Sequence, residues 1–105
     1  MSRETITKCG CFMIFNKVNR KVYICTSTNT RRFYSQIRYM IKNNKFSNTQ
    51  LVEDWKEYGP NQFEYQFLEE CHPSDFYQVK KKWVEYYEAD NPEKGYNSAE
   101  NTYNV

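Results

Sequence analysis

The chain of 105 residues carries 15 basic and 13 acidic side chains, for a net charge of +2, and is 18% aromatic, with ten tyrosines and seven phenylalanines. That length builds one domain with a modest core and not two, and so small a net charge excludes the strong positive field of a histone-like binder, so any affinity for DNA must come from local patches. No apolar run approaches the length that crosses a membrane, and Met1-Ser2-Arg3-Glu4-Thr5 holds no apolar signal core; the expectation is a soluble, cytoplasmic protein with no membrane partner.

Residues 1–8 read as a polar lead-in. From Gly10 to Cys25 two apolar runs flank the polar residues Asn16, Lys17, Asn19, Arg20 and Lys21, which predicts a β-hairpin with strands at about 9–16 and 21–26. Cys11, Met13 and Phe15 alternate with Phe12 and Ile14, so both faces of the first arm are apolar, as in a strand covered on both sides. Thr28 or Asn29 then offers a side-chain oxygen to cap a helix running to about Asn43. Its apolar stripe is Phe33, Ile37, Met40 and Ile41, with Arg31, Arg32, Arg38 and Lys42 elsewhere on the wheel.

Ser47 or Asn48 is the candidate cap of a second helix that carries Leu51, Val52, Trp55 and Tyr58 and stops at Gly59-Pro60. Phe63, Tyr65 and Phe67 alternate with Glu64, Gln66 and Leu68 in a third strand. His72-Pro73-Ser74 opens a third helix at about 74–89, on which Phe76, Lys80, Trp83 and Tyr87 share one side. Asn91 to Gly95 reads as a turn. The domain spans 9–98, and the polar tail 99–105 is expected to be loose. The architecture predicted is α+β, a small three-stranded antiparallel sheet flanked by three helices.

Four cysteines, Cys9, Cys11, Cys25 and Cys71, stand with a single histidine, His72. Cys-Gly-Cys lacks the two-residue spacer of common zinc knuckles, so free thiols packed as small hydrophobes are expected and no metal. Cys11 and Cys25 lie on facing arms of the hairpin, within possible reach of each other.

Gly10-Cys11-Phe12, the Asn16-Lys17-Val18-Asn19 turn and Tyr23-Ile24-Cys25 together resemble the opening of the GIY-YIG nuclease domain. The similarity continues through Asn29 to Arg32, Leu51-to-Gly59, Phe63 to Cys71, Trp83 to Tyr87 and Gly95-Tyr96-Asn97. The resemblance implies the α+β fold already predicted. It also implies a cleft lined by two tyrosines, an arginine, often a histidine, and a glutamate holding one divalent cation, which together hydrolyse a DNA phosphodiester.

Carried over by position, those roles fall on Phe12, Tyr23, Phe33, Ile37 and Lys80. Only Tyr23 keeps its chemistry. A ring without a hydroxyl, two apolar side chains and an ammonium in place of the metal ligand point to a pseudo-nuclease with no cofactor. Such a domain is expected to bind DNA through Tyr23, Arg31, Arg32, Arg38 and Lys80, or a protein partner through Phe33, Tyr34, Ile37 and Tyr39. The alternative is an active DNA endonuclease that uses Mg²⁺ or Mn²⁺, with Glu85 as metal ligand if the third helix is displaced by five residues. The resemblance further implies a phage or mobile-element setting; oligomeric state is left open.

Overall fold

The computed structural model of the protein describes residues 8–99. What the sequence suggested for 1–7 and for 100–105 lies outside the described residues. Strands β1 (Gly10–Asn16), β2 (Val22–Ser27) and β3 (Phe63–Glu70) form one antiparallel sheet in the order β2-β1-β3. Helices α1 (Thr30–Lys42), α2 (Thr49–Tyr58) and α3 (Phe76–Tyr87) pack on it. The predicted α+β architecture is the one observed.

The alternation in β1 explains the layering. Phe12 and Ile14 point to one face and meet Tyr23, Cys25 and Phe63, together with Ile37 and Ile41 of α1 and Leu51 and Trp55 of α2. Cys11 and Met13 point to the other, against Val22, Ile24, Val84 and Ala89, with Trp83 and Tyr87 of α3 partly buried beside them. Burying each large apolar side chain contributes about 1.5–3 kcal/mol, so two such faces hold the central strand firmly. Cys11 and Cys25 therefore stand on opposite faces of the sheet, since Cys11 pairs with Thr26 and Phe12 with Cys25. They cannot approach. Cys11 instead has Cys71 for a neighbour, and burial first, then that thiol, pushes its pKa up to about 12.

Asparagine side chains close the local structure. Asn29 accepts from the Arg32 amide and caps α1, and Asn48 accepts from the Leu51 amide and caps α2, each winning over the serine or threonine beside it. In the hairpin turn the Arg20 amide donates to the Asn16 carbonyl at 2.7 Å, and Asn16 Oδ1 accepts from the Val18 amide at 2.9 Å. A short 3₁₀ turn at Pro73–Asp75 precedes α3, which therefore starts at Phe76 rather than 74. Lys80 and Val84 are its buried residues, one turn apart, so the inward stripe lies slightly off the one predicted.

Two departures from regular pairing shape the sheet. Cys11 pairs with Glu69 but Phe12 with Phe67, so Leu68 is an extra residue in β3 and joins the side chains on the α3 face. After α3 the chain returns along β2, where Gly95 forms a parallel bridge with Val22 and the Tyr96 amide donates to the Val22 carbonyl at 2.9 Å. Asn97 accepts from the Ile24 amide at 2.8 Å and donates to its carbonyl at 3.1 Å. That covers the outer edge of β2. Gly95 is obligatory there, because a Cβ would stand 2.4 Å from Ala89 Cα.

Candidate nucleic-acid interface

The positions singled out by the sequence do not gather in one open cleft. Phe12 and Ile37 are fully buried and Tyr23 is 6% exposed, all three in the core between the sheet and α1–α2. Phe33 covers Phe12 edge-on and is half-buried. Lys80 lies on α3, on the far side of the sheet, close enough to Cys11 to bias its ionisation. Tyr23 and Lys80 thus do not form a patch with the α1 arginines. Of the expected docking anchors, Ile37 belongs wholly to the core, Phe33 and Tyr34 are half-buried, and Tyr39 alone is well exposed.

A different surface emerges beside β3. Tyr65 and Phe67 lie on one face of that outer strand, two residues apart, while Arg31, Tyr34 and Arg38 lie on one side of α1 at i, i+3 and i+7. The Arg31 guanidinium stacks 5.0 Å above the Tyr65 ring, Arg38 lies 5.9 Å from the Tyr34 ring, and the Lys8 ammonium is 5.1 Å from Phe67. Tyr34 and Tyr65 are 5.6 Å apart. All three cations are exposed. Cation and ring stabilise each other by about 0.5–1 kcal/mol at such sites, which orients the charge without neutralising it.

The tyrosines are fixed from below. The Tyr65 hydroxyl hydrogen-bonds Thr30 Oγ1 at 2.7 Å, and its ring packs 5.2 Å from Phe12. Burial raises the Tyr34 phenol above its ordinary value while Arg38 and Arg31 pull it down, so it stays neutral at physiological pH and adds no negative charge to the row. Arg32 is exposed, one position away from Arg31 and hence about 100° round the helix. Sequence reasoning found the arginines but missed Tyr65, Phe67 and Lys8. The available signal was an alternating aromatic strand, which gains meaning only once β3 is placed beside α1.

The GIY-YIG resemblance implies a divalent cation, and the residues present do not fit one. At the position that sequence register assigns to its carboxylate stands Lys80, whose ammonium is a donor and a like charge to any metal ion. Glu69, which also influences Cys11, accepts from Trp83 Nε1 at 2.9 Å and pairs with Lys82. Glu85 is exposed on α3. Among the described residues no three His, Cys, Asp or Glu side chains converge as a metal-holding group.

Among solved structures the chain is similar to the catalytic domain of the intron endonuclease I-TevI in a point-mutant form, with a TM-score of 0.79 and 22% identity over 87% of this chain and 93% of that one. A second structure, of the catalytic domain of the homing endonuclease I-TevI, gives a TM-score of 0.76 and 21% identity over 85% and 96%. The fold is that of a GIY-YIG catalytic domain. No family model and no curated protein matches the chain. At this identity the likeness carries the fold alone. Among the described residues no helix is long and apolar enough to cross a membrane.

Proposed function

We propose that this chain is a nucleic-acid-binding module on the GIY-YIG fold that has given up metal-dependent cleavage. The observation that supports it most is the row of exposed cations, each held over an aromatic ring, along α1 and β3. Guanidinium groups oriented on rings offer fixed donors to phosphate oxygens, and the half-buried Tyr34 and Tyr65 beside them offer unstacked bases aromatic surface to stack on. Fold similarity to an endonuclease domain points the same way. Lys80 at the carboxylate position argues against phosphodiester hydrolysis through a bound cation.

The test is oligonucleotide binding with Mg²⁺ and with EDTA across a salt series, alongside plasmid nicking. With about three phosphates neutralised, log K should fall against log salt with a slope of roughly −2 to −3, and EDTA should change nothing. Arg31→Glu should weaken binding about tenfold or more, as expected for reversing one charge-assisted contact. Metal-dependent nicking that disappears in Tyr23→Phe would establish an active nuclease instead, and no oligonucleotide binding even at low salt would point to a protein partner.

A further inference from the structure

Sharing Arg38 with that row is a cavity of about 550 Å³ between the C-terminal halves of α1 and α2, within the size range of small-molecule sites. Arg38, Lys42 and Lys56 line it with Tyr39, Trp55 and Ser35, and no carboxylate does. Neither ion pair among the described residues involves these three cations; Arg38 rests on Tyr34 and Lys56 donates to Asn44. We infer that this cavity binds a nucleotide unit, its phosphate on the three cations and its base against Tyr39 and Trp55.

Charge decides between this and a purely structural role. Lys42 and Lys56 sit in the last turns of α1 and α2, where a cation offsets the negative end of the helix dipole, equivalent to roughly half a charge per helix. Two helix ends thus account for about one of the three positive charges. The remaining excess, about two, matches the −1.5 to −2 of a phosphate monoester.

The walls suit a flat ring. Trp55 is 6% exposed and stacked on Phe63 with centroids 4.5 Å apart, a rigid floor, while Tyr39 is 64% exposed at the rim. Gly59 lines the cavity with bare backbone at φ +90, and nothing stands within 4 Å of a would-be Cβ. That conformation, with ψ 154, is one that glycine adopts and side-chain-bearing residues avoid.

The inference goes beyond the proposed function and shares only Arg38 with it, since a free nucleotide fills the cavity even if Arg31 and Lys8 bind no strand. A nucleotide unit can come from solution or from the end of a strand. The test is amide NMR of the intact protein titrated with AMP, adenosine, inorganic phosphate and a 5′-phosphorylated oligonucleotide. AMP should shift the Tyr39, Lys42 and Gly59 amides saturably, with adenosine and phosphate each weaker by about tenfold, one charge-assisted or stacking contact's worth.

Shifts with AMP alone identify a free nucleotide, and shifts with the oligonucleotide identify a strand end; both support the site. Phosphate binding as tightly as AMP, or no shift with AMP and the oligonucleotide at millimolar concentration, overturns it. Lys42→Glu and Tyr39→Ala, both at exposed positions, should each weaken AMP by about tenfold with the rest of the spectrum unchanged. Undiminished affinity in both also overturns it. Arg31→Glu separates the two ideas, because it should impair strand binding along the row while leaving AMP affinity intact.

Discussion

Phe33 stands edge-on to Phe12, their ring centroids 6.2 Å apart and their planes at 89°. Where the GIY-YIG resemblance implies a guanidinium beside a phenol, this chain holds two hydrocarbon rings in a favoured edge-to-face arrangement. The pair joins the core rather than a catalytic surface. From it the arginine–tyrosine row rises, because Phe12 also supports Tyr65.

The two rings differ in depth, and their removal should show it. Phe12 is fully buried and Phe33 half-buried, so Phe12→Ala is expected to cost about 3–5 kcal/mol and Phe33→Ala about 1–3 kcal/mol. Chemical denaturation measures both. Equal costs would place Phe33 as deep in the core as Phe12.

Lys80 is 7% exposed on the sheet-facing stripe of α3. Methionine keeps the length of its stem and removes the charge, so Lys80→Met should leave stability unchanged or raise it. Glutamate would put a second acid near Cys11 and Glu69, and Lys80→Glu should cost roughly 2–4 kcal/mol. Neither should nick plasmid with Mg²⁺. Melting curves and a nicking assay decide, and cleavage by Lys80→Glu would show a metal site one substitution away.

Much of the fold was legible because its signals are local: alternation in β1, asparagine caps, and Gly59-Pro60 after α2. The third helix shifted at its start because Pro73 leads a 3₁₀ turn instead of the helix itself. The site was legible only in part. Arg31 and Arg38 stand out on the wheel, and Tyr34 lies one turn from Arg38 on the same helix, but that Arg31 finds its ring in Tyr65 depends on β3 lying beside α1, a long-range pairing that spacing does not encode. Tyr23, Ile37 and Lys80 were aimed at one cleft by sequence register; the sheet puts Lys80 on its opposite face.

Tyr96 offers a pH test of the closing segment. Its buried hydroxyl donates to Asp54 Oδ2 at 2.7 Å and accepts from Asn16 Nδ2 at 2.9 Å, tying the closing segment to α2 and to β1. Burial, more than Asp54, raises its pKa well above the ordinary tyrosine value. The folded state thus favours the neutral phenol. That contribution is complete below the unfolded value of about 10 and is lost as pH rises past it. Tyr96→Phe should cost about 1–3 kcal/mol at pH 7 and flatten the alkaline fall in stability. An unchanged alkaline limb would show that other groups cause it.

At the acid end the corresponding group is Glu69, which ties β3 to α3. Hydrogen bonding from Lys82 first, and from Trp83 second, holds its carboxyl below the ordinary glutamate value. A lowered acid contributes stability that is present above the unfolded value, about 4.3, and is lost as pH falls through the folded one. Lys82 is 57% exposed, so the ion pair itself is worth little and the Trp83 bond should carry most of the effect. Glu69→Gln should therefore lower stability by about 1 kcal/mol at pH 7, with the gap closing as the wild-type carboxyl is protonated. Melting temperatures of both proteins at pH 7 and at about pH 3 check it. A gap that persists in acid would mean that the amide fails Trp83 for steric reasons, and that charge at Glu69 does not matter.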